Sequence, residues 1–301
     1  MPLKSLAGSV LSIFGNRPHQ EPVLHDSDIK SVIALALQED LGQAGDITSK
    51  ALIDPHVMAK GAIIAKQDGV IAGLRCAELT FLMIESSCRF TVHVKDGTFV
   101  KKGTVIANIE TSARGLLTAE RTALNFLGQL SGIATLTRRY VEAVAQTKAQ
   151  IRDTRKTTPG LRTLEKYAVA CGGGVNHRIG LYDAVLIKDN HLALSENIAD
   201  ALQKAKASVA PGTPIEIEVD TLDQLDGALR AGAETILLDN MNTAQLIEAV
   251  QRTNGRAVLE ASGGVNLDSV KAIAESGVDY ISVGALTHSA PCLDISLDIE
   301  F

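Results

Sequence analysis

The chain has 301 residues, 46% of them hydrophobic, with 29 Lys and Arg against 35 Asp and Glu and a net charge of −6. That length can bury one large core or two ordinary ones, and no apolar run approaches the roughly 18 residues that cross a bilayer. An acidic chain without Trp and with 3% aromatic residues also lacks the broad basic, stacking surface of a nonspecific nucleic-acid binder.

Residues 1–25 read as an N-terminal arm. Its mildly apolar piece, Leu6 to Phe14, follows a single Lys and shows no small-residue cleavage pattern, so it does not read as a secretory signal. From Asp26 to Leu41 the apolar residues recur at helical spacing, with Asp26 or Ser27 as the expected N-cap. Strand-like runs follow at Ala62–Ala65, Gly69–Ala72, Arg89–Val94 and Val105–Glu110, and Asp96 to Gly103 reads as a structural hairpin. These elements form an expected α/β domain over residues 26–130. A long helix, expected from Thr118 to Ala145, leads into the second half and carries Arg121.

From about residue 150 the rhythm changes. Short β-branched runs near Ile151, Ala184, Ile215, Thr235, Ala257 and Tyr280 alternate with helix-compatible segments. Apolar runs without polar alternation belong to strands covered on both faces, hence to a parallel β/α array, expected over residues 131–291. The final stretch, residues 292–301, alternates Leu293, Ile295, Leu297 and Ile299 with polar residues, the pattern of a half-buried strand on an antiparallel sheet. It is expected to return to the first domain. Cys76, Cys88, Cys171 and Cys292 lie far apart, which argues against a disulfide framework or zinc knuckle and for a reducing, cytoplasmic setting.

Charge is unevenly placed. Residues 138–191 carry 10 Lys and Arg against 5 Asp and Glu, in a chain that is acidic overall. A local cluster of this kind suits a pocket for a small, multiply charged anion. Polar residues also follow each strand run: Arg155 and Lys156, Lys188 and Asp189, Glu218 and Asp220, Asp239 and Asn240, Glu260 with Ser262-Gly263-Gly264, and Gly284. A barrel makes all these exits converge on one opening, whereas an open sheet gathers them at a single switch point. The glycines permit close backbone approach to a phosphate, helped by a following helix N-terminus, or serve simply as turns. Glu218 and Asp239 offer hard oxygen ligands for Mg²⁺ or partners for nearby cations. Arg155, Arg178 and Lys188 could grip carboxylates, with His177 a donor or a partner of the backbone. Lys188 alone would also allow Schiff-base chemistry, and the hairpin domain would allow a non-catalytic carrier.

The ordered motifs narrow these readings. Thr154-Arg155-Lys156-Thr157-Thr158-Pro159-Gly160-Leu161-Arg162, Gly172-Gly173-Gly174-Val175-Asn176-His177-Arg178, Leu186-Ile187-Lys188-Asp189-Asn190-His191, Glu216-Ile217-Glu218-Val219-Asp220, Leu238-Asp239-Asn240, Ser262-Gly263-Gly264 and Val283-Gly284-Ala285-Leu286-Thr287 resemble the quinolinate phosphoribosyltransferases, as do Gly45-Asp46-Ile47-Thr48 and Ala119 to Asn125. The resemblance implies an α/β sandwich domain followed by an incomplete, seven-stranded β/α barrel. It implies transfer of a phosphoribosyl group from 5-phosphoribosyl 1-pyrophosphate to quinolinate with loss of CO₂ and pyrophosphate, giving nicotinate mononucleotide for NAD synthesis. Carried over residue by residue, Arg155, His177, Arg178 and Lys188 hold the quinolinate carboxylates, with Arg121 supplied by the second subunit of a homodimer. Lys156, Glu218, Asp239, Ser262, Gly263, Gly264 and Gly284 serve the ribosyl pyrophosphate. Lys156, Lys188, Glu218 and Asp239 are the implied catalytic set, and Glu218 and Asp239 the implied Mg²⁺ partners. Arg162 and Lys166 read as supporting structure. A paralogue acting on another ring acid is the nearest rival.

Overall fold

The structure, a computed structural model, describes residues 24–300, so all but Leu24 and His25 of the expected arm lies outside the described residues. Ile29, Ile33 and Leu37, spaced about one turn apart, form the buried stripe of α1 (Asp26–Leu41). The N-cap is His25 rather than Asp26 or Ser27. Asp26 lies in the first turn instead, ion-paired with Arg75. Helix α2 (Ile47–Leu52) shows why Gly45-Asp46-Ile47-Thr48 matters locally: Asp46 accepts the Ser49 N–H at 2.9 Å and the Thr118 hydroxyl at 3.1 Å, capping one helix and tying it to another.

The first sheet contains β1 (Met58–Ala65), β3 (Arg89–Val92), β5 (Val105–Ser112) and β12 (Ile295–Glu300), in the order β12-β1-β5-β3 and antiparallel throughout. The half-buried tail strand thus pairs with β1. Strands β2 (Gly69–Val70) and β4 (Phe99–Val100) form a separate ribbon, so Asp96 to Gly103 is an excursion from the sheet rather than a simple hairpin. Helices α3 (Leu74–Ile84) and α4 (Ala113–Val144) cover the sheet, completing an α/β sandwich. The long helix begins five residues earlier than expected because Ser112 caps it, accepting the Gly115 N–H at 3.0 Å. Leu116, Ala123 and Leu127 of α4 join the sandwich core, while Phe126, Leu130 and Ile133 join the barrel core. One helix is therefore shared by both hydrophobic interiors.

The second sheet is parallel: β6 (Gln150–Arg152), β7 (Val185–Ile187), β8 (Ile215–Val219), β9 (Thr235–Asp239), β10 (Val258–Ser262) and β11 (Tyr280–Ser282), in the order β6-β11-β10-β9-β8-β7. Helices α5 (Arg162–Cys171), α6 (Asp189–Leu192), α7 (Ile198–Ser208), α8 (Leu222–Arg230), α9 (Thr243–Thr253), α10 (Val270–Glu275) and α11 (Ala285–His288) alternate with them. Thr221 with Gln224 and Asn242 with Gln245 form capping boxes, which start α8 and α9 sharply after the strands that precede them.

Among the described residues the sheet has six strands, where the resemblance implied seven. The remaining position shrinks to one parallel bridge, Val175 with Arg152. The preceding glycines explain the constraint: a Cβ on Gly172 would stand 2.5 Å from the Ala134 carbonyl oxygen of α4, and Gly173 has φ of +92°. Directly after the bridge, the Asn176 amide turns inward to Asp153 and the Lys166 carbonyl, which draws the chain off the strand path. The barrel is incomplete, with a seam between Val175 and β7.

Candidate active site

Alternation along the strands lines the barrel interior with polar groups. Glu260, expected at a strand exit, is instead mid-strand and 0% exposed. Its carboxylate accepts from Arg152 and from the Ser282 hydroxyl, and the Arg152 guanidinium lies 4.1 Å from the centre of the Tyr280 ring. Burial, and then the charge of Glu216, push the Glu260 carboxyl above the usual carboxylate range. His177 Nε2 completes this group, 2.9 Å from Glu216 and 3.7 Å from Glu260.

Three such groups within 4.8 Å could suggest a metal centre. The imidazole argues otherwise. His177 Nδ1 accepts the Arg178 backbone N–H at 2.7 Å, so the ring proton sits on Nε2 and points to Glu216. A nitrogen that carries a proton has no lone pair to give a metal. The cluster is a hydrogen-bonded floor beneath the site; sequence reasoning gave Glu216 and Arg152 no role in it and set Glu260 at the mouth instead.

Above this floor the cations converge. Arg155 leaves the exit of β6 and Arg178 follows the Val175 bridge; the Nε atoms of both are buried without a partner in the chain. Burial, and then the charge of Arg155, hold the Arg178 guanidinium below its ordinary value. Two guanidiniums near enough for one to depress the other favour an anion between them. Arg178 is also steadied across the seam, donating to the Ala184 carbonyl at 2.9 Å. Arg178 and His177 line a cavity of about 270 Å³ together with Arg152, Asp183 and Glu216. Lys188, at the exit of β7, pairs with Glu218 at 2.6 Å and is 43% exposed. That is not the isolated amine in a dry pocket that Schiff-base chemistry needs.

The opposite side of the mouth carries carboxylates and a glycine turn. Glu218 pairs in register with Leu237, which places it on the same face as Asp239 two residues further along β9. Asp239 in turn pairs with Ser262, and Asn240, at φ of 53°, donates its backbone N–H to the Ser262 carbonyl. Gly263 has φ of +99°, and a Cβ there would overlap Asn240 Oδ1 at 2.1 Å; Gly264 has φ of +60° and open space above it. Only backbone can occupy this turn comfortably. The helix expected to follow these glycines starts later, at Val270, because Asn266 Oδ1 accepts the Asp268 and Ser269 N–H groups in an intervening turn. Loop amides rather than a helix end therefore face this site. Lys156 is exposed, its carbonyl fixed by the Thr287 hydroxyl at 2.7 Å. A Cβ on Gly284 would lie 3.1 Å from Lys156 Cδ and 3.3 Å from His288 Nε2, which adds His288, unmarked in the sequence reading, to this edge. Arg121 is exposed on α4, and among the described residues it makes no hydrogen bond or ion pair with the other site residues.

Residues 46–131 match the family model for the N-terminal domain of quinolinate phosphoribosyl transferase, and residues 133–298 match that for its C-terminal domain. The chain belongs to the quinolinate phosphoribosyltransferase family. One member, the nicotinate-nucleotide pyrophosphorylase [carboxylating] of Mycobacterium leprae, is 48% identical over 275 residues, covering 90% of this chain and 96% of that protein. A probable nicotinate-nucleotide pyrophosphorylase [carboxylating] of Bacillus subtilis is 42% identical over 271 residues, covering 90% of this chain and 93% of its own. Among solved structures, the family member from Francisella tularensis superposes with a TM-score of 0.90 at 37% identity, over 93% of this chain and 99% of that one.

Proposed function

We propose that this chain transfers the phosphoribosyl group of 5-phosphoribosyl 1-pyrophosphate to quinolinate with decarboxylation, yielding nicotinate mononucleotide, CO₂ and pyrophosphate. The observation that carries this reading is the approach of Arg155 and Arg178, two guanidiniums whose buried Nε atoms lack partners. They suit a substrate with two adjacent carboxylates, held together with Lys188 and with Arg121 from the second subunit of a homodimer. His177 supports them from beneath through Glu216.

In the first step the pyridine nitrogen attacks C1 of the ribosyl group as the C1–O bond to pyrophosphate breaks. Lys156 stabilises the departing oxygens, and the Ser262–Gly264 turn and Gly284 hold the ribosyl phosphate through backbone approach. Alkylation makes the ring nitrogen cationic. The bond to the adjacent carboxylate then breaks, CO₂ leaves, and the electron pair at that carbon takes a proton. Because the guanidiniums fix the carboxylate without a covalent bond, orientation supplies much of the rate.

Glu218 and Asp239 fit a magnesium ion: both are oxygen donors on one face of adjacent strands, each with one oxygen engaged, by Lys188 and Asn240 respectively. When bound with the pyrophosphate, Mg²⁺ would neutralise charge on the leaving group. A reducing, cytoplasmic setting suits the wide spacing of the cysteines along the sequence. The test is direct: CO₂ and pyrophosphate are measured with quinolinate, ribosyl pyrophosphate and Mg²⁺, with nicotinate as the comparison acceptor. Stoichiometric release with quinolinate is expected, and turnover with nicotinate alone would replace this reading by that of a paralogue.

A further inference from the structure

Helix α5 touches both cation-bearing loops without reaching the mouth itself. Lys166, 0% exposed, is ion-paired with Asp153 and donates to the His177 carbonyl at 3.0 Å. Asp153 in turn accepts the His177 backbone N–H at 2.8 Å and the Asn176 amide at 2.6 Å. One turn earlier, Arg162 donates to the Ile179 carbonyl at 3.1 Å, to the Thr157 hydroxyl at 3.0 Å and to the Arg155 carbonyl at 3.5 Å. Between them Glu165 accepts the Thr158 N–H at 3.1 Å and the Gln129 amide of α4 at 3.2 Å. Burial pushes Asp153 up and Lys166 down, each against the attraction of its partner. An ion pair so strongly desolvated adds little net stability, and its worth lies in geometry.

We infer that Arg162, Lys166 and Asp153 form a clamp that sets the spacing between the Arg155 loop and the His177–Arg178 loop, and thereby the affinity for the dicarboxylate. The inference rests on the quinolinate reading above. These are positioning residues: Lys166 and Asp153 fix residues 176–177, and Arg162 joins residues 155–157 to residue 179 across the gap. The short bridge at Val175 gives that loop little other support from the sheet, which is why a helix must supply it.

Two variants test the clamp. Asp153→Asn with Lys166→Met removes both buried charges together, and Arg162→Gln changes a half-buried side chain whose loss the fold should tolerate. Amide hydrogen exchange at residues 176–179 is expected to quicken about tenfold or more, since the His177 N–H and the His177 and Ile179 carbonyls lose their charged partners and the loop they hold opens more often. The KM for quinolinate is expected to rise about tenfold while kcat falls only about two- to threefold, because the groups that meet the reacting atoms remain. The Kd for ribosyl pyrophosphate should move less than the KM for quinolinate in the double variant. Folded variants with unchanged exchange overturn the clamp, and so does quickened exchange with an unchanged KM. If the parent protein neither binds nor turns over quinolinate, the functional reading fails instead, and exchange at residues 176–179 alone decides whether the clamp exists.

Discussion

Lys188 Nζ lies 2.6 Å from Glu218 Oε2, so the cation proposed for one substrate neutralises the anion proposed for the other. If Glu218 engages the metal or pyrophosphate as proposed, Lys188 would be released toward the ring carboxylates. Binding of the two substrates should therefore be positively coupled. Glu218→Gln removes the competing partner, and calorimetric titration should find quinolinate binding up to about fivefold tighter while kcat drops by about a hundredfold. Weaker quinolinate binding in a folded Glu218→Gln protein would show that the pair supports the grip rather than restraining it.

Arg155→Ala and Arg178→Ala each remove a charge-assisted contact to the dicarboxylate. A loss of roughly 2 kcal/mol, about 30-fold in KM for quinolinate, is expected from steady-state kinetics, with a smaller change in KM for ribosyl pyrophosphate. Arg155→Lys should recover little, since an ammonium cannot reproduce the two-pronged contact.

The glycine turn separates strain from function. Gly263→Ala must relieve a 2.1 Å overlap with Asn240 at φ of +99°, so thermal unfolding should reveal a loss of about 2 kcal/mol together with weakened ribosyl pyrophosphate binding. Gly264→Ala meets open space at φ of +60° and should cost about 1 kcal/mol in the same assay.

Glu260 yields an unusual pH dependence. Its carboxyl is raised in the folded protein, so its favourable contribution is present below the ordinary value of 4.5 and is lost as pH climbs through the folded value. Glu260→Gln cannot titrate. Denaturant unfolding of both proteins from pH 5 to 9 should show the variant gaining on the parent as pH rises, by roughly 1 kcal/mol per pH unit within the titration window. A parallel pair of curves would mean that the carboxyl titrates alike in both states.

The shared site can be tested by complementation. Arg121→Ala and Arg155→Ala proteins, each only weakly active alone at quinolinate concentrations far below their raised KM, should regain up to about a quarter of parental activity when mixed and reassociated, because some hybrid sites combine two intact halves. Hybrid dimers confirmed by native mass spectrometry yet lacking activity would place Arg121 outside the partner's site.

Much of this architecture is legible in the chain. Strand runs without polar alternation mark the parallel barrel, and the alternation from Leu293 to Ile299 marks a half-buried antiparallel strand. What escapes is depth. Glu216 and Glu260 look like mouth residues by their type, but the pleat turns them into the barrel, and only register tells how far below the rim they lie. The His177 tautomer depends on the backbone N–H of the next residue, 2.7 Å from Nδ1, which no spacing rule reports. The seam escapes as well, since Val175 is a lone apolar residue between three glycines and Asn176, and no pattern announces its single bridge to Arg152.

The pairing of β12 with β1 has a consequence for how the molecule is made. Six residue pairs, from Lys60 with Glu300 to Ala65 with Ile295, join the chain's beginning to its last segment. During synthesis the first sheet must wait, with one flank of β1 open, until residues 295–300 have left the ribosome. Removal of the last eight residues should therefore harm the amino-terminal half rather than the barrel beside it, producing aggregation through the uncovered edge.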